Sequence, residues 1–584
     1  MSRLTETVIR RLANLENTRF GGDAVAGFLG FVFFSFTVGI EKLDPRNVGW
    51  LTFGDQKTHL LGWQFFAADQ WRWPLGASPM YGWEGKNSIV YTDSWPGLAL
   101  FFKALDIEVV DRGQYFGLGF MIGAVTLFIG ARRLFCSVGL PLFSSLVGSG
   151  LLGTTSVFWW MQRWYPALSA GLPILVWALY FYVDDAKHPT RLRRRWMVLL
   201  SLAAATHAYL TITAMSILVA LLTRRLFRGR QSCSRTLVDL AMIGAVTTVS
   251  MYVLGYFTLS SKWAQTGGYG WYSSNVLGLI DSNEASRFLP DIPSISGQYE
   301  PTALGIGTLL LLVWIVSHRL RVHSPIGITG FLKEHLSLVV VLFVLSLLAI
   351  SNTVSIASWS YHVPLPERLE HGLSIFRSSA RFVWPTIIVT TVAVISLVVH
   401  RFRYGVVVIS LALAIQIIDS TPEALTVALS EDGGSGMSTY DARFWTVVPE
   451  RYTSIVSLPA QSLGFDWEAC ALAAVSTGRS AECGYFSRVQ GLDVINRTRS
   501  TQVLTGVLEG NAIYMVSGSW LAENRRELLK VLSRPSVNVV AAKDVFGFRT
   551  DTYFLFPECP NAEACAFLGD HYQALDDLLL GSNL

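Results

Sequence analysis

The chain has 584 residues, 51% of them hydrophobic and only 15% charged, with a mean hydropathy of +0.41. Soluble proteins carry roughly 25% charged residues, so this composition excludes an ordinary soluble globular protein and predicts a polytopic α-helical membrane protein. The net charge of +4 is small; its basic residues cluster between apolar segments, as the positive-inside rule describes, and form no basic face for nucleic acid.

Residues 1–20, with Arg3, Arg10, Arg11 and Arg19, read as a cytoplasmic amphipathic segment. No cleavable signal peptide is expected, because the first apolar run lacks a small-residue cleavage site. Gly22–Ile40 reads as the first span, leaving residues 41–114 as a long first outer loop. In it Asp55 and His59 stand four apart, so a helix over Gly54–Trp71 puts both on one face. Asp55 then lies in the first turn, where a helix N-terminus favours an anion. Trp63, Phe66, Trp71 and Trp73 give that helix an apolar side suited to a membrane interface. The bland alternative is a loop in which Asp55 only caps a helix. Trp95–Leu105 is apolar but about half the ~20 residues a span needs, and reads as a re-entrant or interfacial helix capped by Asp93.

Spans are expected at Tyr115–Ala131, Leu140–Phe158 and Ala167–Val183. The next apolar run, Trp196–Leu222, has basic flanks at both ends, Arg193–Arg195 and then Arg224, Arg225, Arg228 and Arg230. A single span would leave one basic cluster outside, so two short helices in a hairpin are expected, with His207–Leu210 near the apex. His207 is a pocket candidate there, since ionisable groups within a membrane are costly and usually face a cavity. The alternative is a histidine satisfied by a neighbouring carbonyl. Leu237–Leu259, Ala303–Val316, His335–Ile350, Phe382–Val399 and Val406–Ile418 bring the expected count to about eleven spans.

Residues 21–418 thus read as the membrane domain and residues 419–584 as a soluble extracytoplasmic α/β domain. Strands are expected at Ser454–Leu458, Ala512–Val516 and Val537–Ala541, with a helix at Ser519–Leu532. Cys470, Cys483, Cys559 and Cys565 lie in this tail, an even number that fits disulfides in an oxidising compartment. Pairing of sequence neighbours is the simplest of three connectivities, and the spacings are not those of a zinc finger.

Polar residues gather in three outer loops: Asp44, Asp55, His59 and Asp93; then Lys262, Tyr269, Tyr272, Asn275, Gln298, Tyr299 and Glu300; then His362, Glu367, Arg377 and Arg381. Transfer from a polyprenyl-phosphate sugar needs a carboxylate to deprotonate the acceptor hydroxyl and cations to hold the phosphate. Both are present on the expected outer side, beside abundant aromatic residues.

The segments GDQKTHLLGWQFF, WRWPLG, SIVYTDSWPGLALFFK, HAYL, GWYSSN, GQYEPTALGIG and FRSSARFVWP resemble a family of bacterial GT-C-like integral membrane proteins. The long first outer loop, the many spans and the soluble tail likewise resemble the GT-C superfamily of membrane glycosyltransferases. The resemblance runs over roughly residues 20–400. It implies transfer of a sugar from a polyprenyl-phosphate donor to a cell-envelope glycan or lipid-linked acceptor, at the outer face of a bacterial inner membrane. Asp55 would be the general base, with His59 orienting it or contacting the acceptor. Arg377 and Arg381, four apart and so on one helical face, would hold the donor phosphate. His207, Tyr209, Tyr299, Glu300 and Asp93 would line the substrate space. The superfamily's usual acidic pair is absent from this loop, so Asp44 stands beside Asp55 as an alternative base. No cofactor is expected: Asp44, Asp55 and Asp93 could share a divalent cation, but members using single-sugar lipid donors generally do without one. The competing classes are a transporter or flippase for a lipid-linked saccharide, which would carry charges through its spans, and a glycan polymerase or ligase.

Overall fold

The computed structural model describes residues 19–52, 55–105, 113–159, 166–259, 263–264, 269–283, 285–298, 300–321, 333–429, 447–460, 467–484, 486, 488–532, 539–543, 552–558, 566 and 572–574. These fall into two compact units. The first lies within Met1–Asn47, Tyr115–Met251 and Gly267–Ser430, the second within Val48–Gln114, Tyr252–Thr266 and Glu431–Leu584. The first outer loop therefore groups with the tail.

The helices of nine or more residues, in chain order, are α1 (Arg19–Thr37), α2 (Gln56–Ala68), α3 (Pro96–Ala104), α4 (Phe116–Ser137), α5 (Leu142–Gly153), α6 (Pro173–Asp184), α7 (Leu192–Ala204) and α8 (Ala208–Phe227). There follow α9 (Cys233–Val253), α10 (Ile306–Arg321), α11 (Leu336–Ile350), α12 (Trp384–Arg401) and α13 (Gly405–Leu429), and in the tail α14 (Trp467–Ser476), α15 (Leu492–Thr505) and α16 (Gly518–Leu532). Among the described residues, five helices are long and apolar enough to cross a membrane: Phe20–Thr37, Phe116–Ser137, Ala208–Phe227, Cys233–Val253 and Ser379–Arg401. Shorter apolar helices occupy Leu142–Gly153, Leu168–Asp184, Ile306–His318, Leu336–Ile350 and Gly405–Ser420. The expected count of about eleven spans is not supported. At about 1.5 Å per residue these shorter helices reach only about 15–25 Å against a ~30 Å hydrocarbon core. Apolar runs in the sequence overestimate helix length where the chain breaks inside them, as at Thr154 within the expected span Leu140–Phe158.

The break expected within residues 196–222 is present, but only the first helix is short: α7 has 13 residues, whereas α8 has 20 and is long enough to cross a membrane. α7 and α8 are separate helices, and both basic flanks return to consecutive carboxylates at the end of α6. Arg195 pairs with Asp184 at 2.8 Å and Arg225 with Asp185 at 2.6 Å. Two carboxylates at a helix C-terminus oppose its dipole, and these arginines offset that cost. Gln231 carries the network on, accepting from Arg225 at 3.0 Å and donating to Asp239 at 2.8 Å, and Asp239 also binds Arg193.

The described strands are β1 (Trp263–Ala264), β2 (Thr353–Ile356), β3 (Trp359–His362), β4 (Ser454–Leu458), β5 (Ser480–Glu482), β6 (Val489–Gln490), β7 (Ala512–Ser517), β8 (Val539–Lys543), β9 (Thr552–Pro557) and β10 (Tyr572–Ala574); β1 pairs with β6, β2 pairs with β3 in the first unit, and the other six form a mixed sheet in the second unit. The sheet order is β10-β8-β9-β7-β4-β5, with β4 parallel to both β5 and β7 and the β9 side antiparallel. The expected strands and helix of the tail appear within about two residues of their predicted bounds. Cys470 and Cys483 form a disulfide from α14 to the irregular segment just after β5; Cys559 and Cys565 lie outside the described residues.

The first loop is built into this unit. Leu61, Phe65, Tyr81 and Trp83 share one apolar core with Tyr452, Ile455, Ala473, Phe486 and Phe554. Tyr81 stacks on Phe65 at 4.4 Å and meets Phe486 edge-on at 4.7 Å. Gly82 donates to the Ala481 carbonyl at 3.0 Å, Ala481 to that of Met80 at 2.8 Å, and Lys57 pairs with Glu468 at 2.7 Å.

Candidate functional site

The helix expected over Gly54–Trp71 is α2, Gln56–Ala68, and Asp55 is its N-cap, with no side-chain capping bond. Asp55 is exposed and His59, one turn on, is buried. The interfacial apolar side is absent: Trp63 and Phe66 are buried, while Trp71 and Trp73 follow the helix and are exposed. α2 is buried along most of its length, with Leu61 and Phe65 packed in one core with tail residues.

His59 is held by the turn before α3. Its Nδ1 lies 2.5 Å from the Asp93 backbone carbonyl, which makes that nitrogen the donor. Ser94 donates its hydroxyl to the His59 carbonyl at 2.7 Å, and Thr92 lies 2.8 Å from Ser94. Asp93 and Trp95 both adopt left-handed backbone, φ 52° and 49°, a conformation that costs non-glycine residues energy and recurs at functional sites. Gly62 makes the close approach possible: a Cβ there would collide with Thr92 and Ser94. Asp93 does not cap α3; Trp95 is the N-cap and Pro96 the first helical residue.

Asp93 also lies near Tyr256. Tyr91 donates to the Tyr256 carbonyl at 2.7 Å. Burial pushes the Tyr256 hydroxyl above the usual tyrosine range; the Asp93 charge adds to this and Arg488 opposes it. Burial likewise raises Tyr91. Arg488 is a cation beside this turn that sequence reasoning missed, since it sits in the tail about 400 residues away. Lys103 was missed too. Its ammonium lies 4.2 Å from the Phe66 ring centroid and 5.0 Å from that of Trp71. Burial lowers its pKa to about 8.

Asp44, in the first unit, is exposed and accepts from the Arg46 backbone N–H at 2.9 Å, the geometry of a local turn. The remaining expected residues of that unit converge. Arg381 pairs with Glu300 at 2.8 Å, their side chains 7% and 1% exposed. The second Glu300 oxygen, Oε2, is buried and has no hydrogen-bond partner among the described residues. The Arg381 guanidinium lies 5.2 Å from the Tyr209 ring centroid, and the Tyr209 hydroxyl accepts from the Ser378 N–H at 2.9 Å. His207 caps α8, accepting from the Tyr209 N–H at 3.2 Å, and stacks on its ring at 5.5 Å. The histidine at the apex is therefore satisfied by its own helix.

Gln298 binds Asn275, Ser273 and Ser355 at 3.1, 3.0 and 2.6 Å, and Ala380 donates to the Tyr272 carbonyl at 3.1 Å. The segments HAYL, GWYSSN, GQYEP and FRSSARFVWP thus meet in one buried network. Arg377 and Arg381 do not share a helical face: Ser379–Val383 is a 3-10 turn, and Arg377 precedes it, its guanidinium 4.9 Å from the Tyr272 ring centroid. Lys262 and Tyr299 lie outside the described residues. No group of three or more His, Cys, Asp or Glu side chains able to hold a metal occurs among the described residues.

Residues 27–421 match the model of a family described as Domain of unknown function (DUF6311). The chain belongs to this family. No curated protein matches the chain. The DUF6311 match takes in both the His59–Asp93 turn and the Arg381–Glu300 network, whereas Arg488, Glu468 and the disulfide lie in the tail beyond it.

Proposed function

We propose that this DUF6311 protein is a membrane glycosyltransferase of the GT-C type, moving a sugar from a polyprenyl-phosphate donor to an envelope glycan or lipid-linked acceptor. The observation that carries this reading is the exposed Asp55 carboxylate at the head of α2, one turn from an imidazole whose Nδ1 donates to the Asp93 carbonyl. An exposed carboxylate at a helix N-terminus is open to an incoming hydroxyl, as general-base transfer requires. Asp44 serves its own turn, which favours Asp55 as the base. Within the first unit Arg381 is neutralised by Glu300, so any phosphate contact made by that unit is assigned to Arg377. No metal is assigned to the reaction.

The reading extends to localisation: an inner membrane, the second unit on its outer side, and short helices completing the membrane domain together with the five long ones. Purified protein in proteoliposomes, given radiolabelled polyprenyl-phosphate sugars or nucleotide sugars with a membrane-extract acceptor, tests it. Label transfer with the lipid-linked sugar alone supports the proposal. Transfer only from a nucleotide sugar, or movement of an intact lipid-linked saccharide across the bilayer without transfer, refutes it.

A further inference from the structure

At the arginine-rich end of the first unit, a cavity of about 630 Å³ opens between the ends of α4, α6, α8, α11 and α12. It is in the size range of small-molecule sites. It is separate from the Tyr209 network, because Arg224 follows Tyr209 by fifteen residues along α8, about 22 Å at ~1.5 Å per residue. Its walls are apolar, with Leu134, Leu179, Leu338, Val389, Val392 and Leu397 among them. Its rim carries Arg224, Arg228, Arg230 and Arg401 against the single carboxylate of Glu334.

The rim is partly prearranged. Arg224 is buried, donates to the Tyr182 carbonyl at 2.6 Å and lies 4.1 Å from the Tyr182 ring centroid. One of its nitrogens is 3.4 Å from His335 Nδ1. Burial, then the Arg224 charge, pushes His335 below the usual histidine range, so it adds no cation at neutral pH. Arg228 reaches Glu334 only at 3.9 Å, and Arg228, Arg230 and Arg401 are exposed. Excess positive charge around an apolar slot matches one ligand shape: an anionic head on an apolar tail. Basic pockets between membrane helices hold anionic lipid heads for this reason.

We propose that this cavity is a binding site for an anionic phospholipid, its phosphate on Arg224, Arg228 and Arg401 and one acyl chain between α4, α6, α11 and α12. The lipid would tie five helix ends together and make the packing of this end depend on the composition of the facing leaflet. The site does not depend on the transferase reading.

The test is native mass spectrometry of the full chain in detergent with added dioleoyl phosphatidylglycerol, dioleoyl phosphatidylcholine, polyprenyl phosphate or inorganic phosphate. Wild type should retain phosphatidylglycerol at least tenfold better than phosphatidylcholine. The double substitution Arg228→Gln with Arg401→Gln, both at exposed positions, should lower that retention at least tenfold. Ala393→Phe, which fills the apolar floor and leaves every charge in place, should do the same. Arg403→Gln, outside the cavity, should not change it. Equal retention of the two phospholipids, insensitivity to either cavity variant, or preference for polyprenyl phosphate or inorganic phosphate over phosphatidylglycerol would overturn the proposal.

Discussion

Replacing Glu300 by Gln should destabilise the first unit severely, although it exchanges one oxygen for an amide of the same size. Arg381 and Glu300 sit 2.8 Å apart with side chains 7% and 1% exposed. A solvent-exposed pair contributes about 0.2–1 kcal/mol, but removing one partner of a buried pair leaves an uncompensated charge and costs about 3–5 kcal/mol. At about 1.4 kcal/mol per tenfold, that is roughly two to three and a half orders of magnitude in the folding equilibrium. For a domain of a few hundred residues it corresponds to a melting-temperature loss on the order of 6 °C or more. Intrinsic fluorescence reads it conveniently, because the Trp384 indole donates to Pro301 beside the pair at 3.1 Å. The double substitution Glu300→Gln with Arg381→Met removes the stranded charge, so it should recover most of the loss. A Glu300→Gln protein melting within about 1 °C of wild type, or a double variant no better than the single one, would refute this reasoning.

Gly62→Ala should disrupt the turn that holds His59, since the new methyl meets Thr92 and Ser94; histidine NMR should show a displaced His59 signal in a protein that still inserts. Maleimide should label the exposed Cys233 thiol of native protein, whereas Cys470 and Cys483 should react only after reduction. Breaking that bridge, which spans 13 residues, should cost about 3 kcal/mol by the loop-entropy estimate. Lys103 should acylate with a midpoint near pH 8, its lowered pKa. Burial penalises its charged form, so its contribution to stability is unfavourable below pH 8 and improves as pH rises toward the ordinary lysine value. Truncation after Ser430 removes Phe486 and Glu468 from the first loop, so residues 55–105 should become protease-sensitive.

Local patterns were legible. The doubly basic flanks of residues 196–222 implied a hairpin because charge placement allows few topologies, and the Arg195–Asp184 and Arg225–Asp185 pairs sit where that hairpin puts them. Three strands of the tail (β4, β7 and β8) and the helix α16 were equally readable from short apolar runs, whereas β5, β6, β9, β10, α14 and α15 were not. Long-range partnership was not. Tyr81 and Phe486 are about 400 residues apart, and nothing near either residue signals the other. The tryptophan-rich loop therefore looked like a membrane-interface helix, although apolar surface bound for a protein core has the same composition. The Arg377–Arg381 spacing suggested one helical face, but a 3-10 turn begins between them. Glu300 and Arg381 were both singled out, yet their pairing depends on how four distant segments pack.

The measurement that bears most directly on the central claim is the transfer rate of Asp55→Asn protein in proteoliposomes with a polyprenyl-phosphate sugar, beside wild type and Asp44→Asn. Loss of a general base typically costs about a hundred- to ten-thousand-fold. The account predicts a fall of that size for Asp55→Asn, with unchanged insertion and melting temperature, and near-wild-type turnover for Asp44→Asn. Near-normal turnover by Asp55→Asn would contradict it.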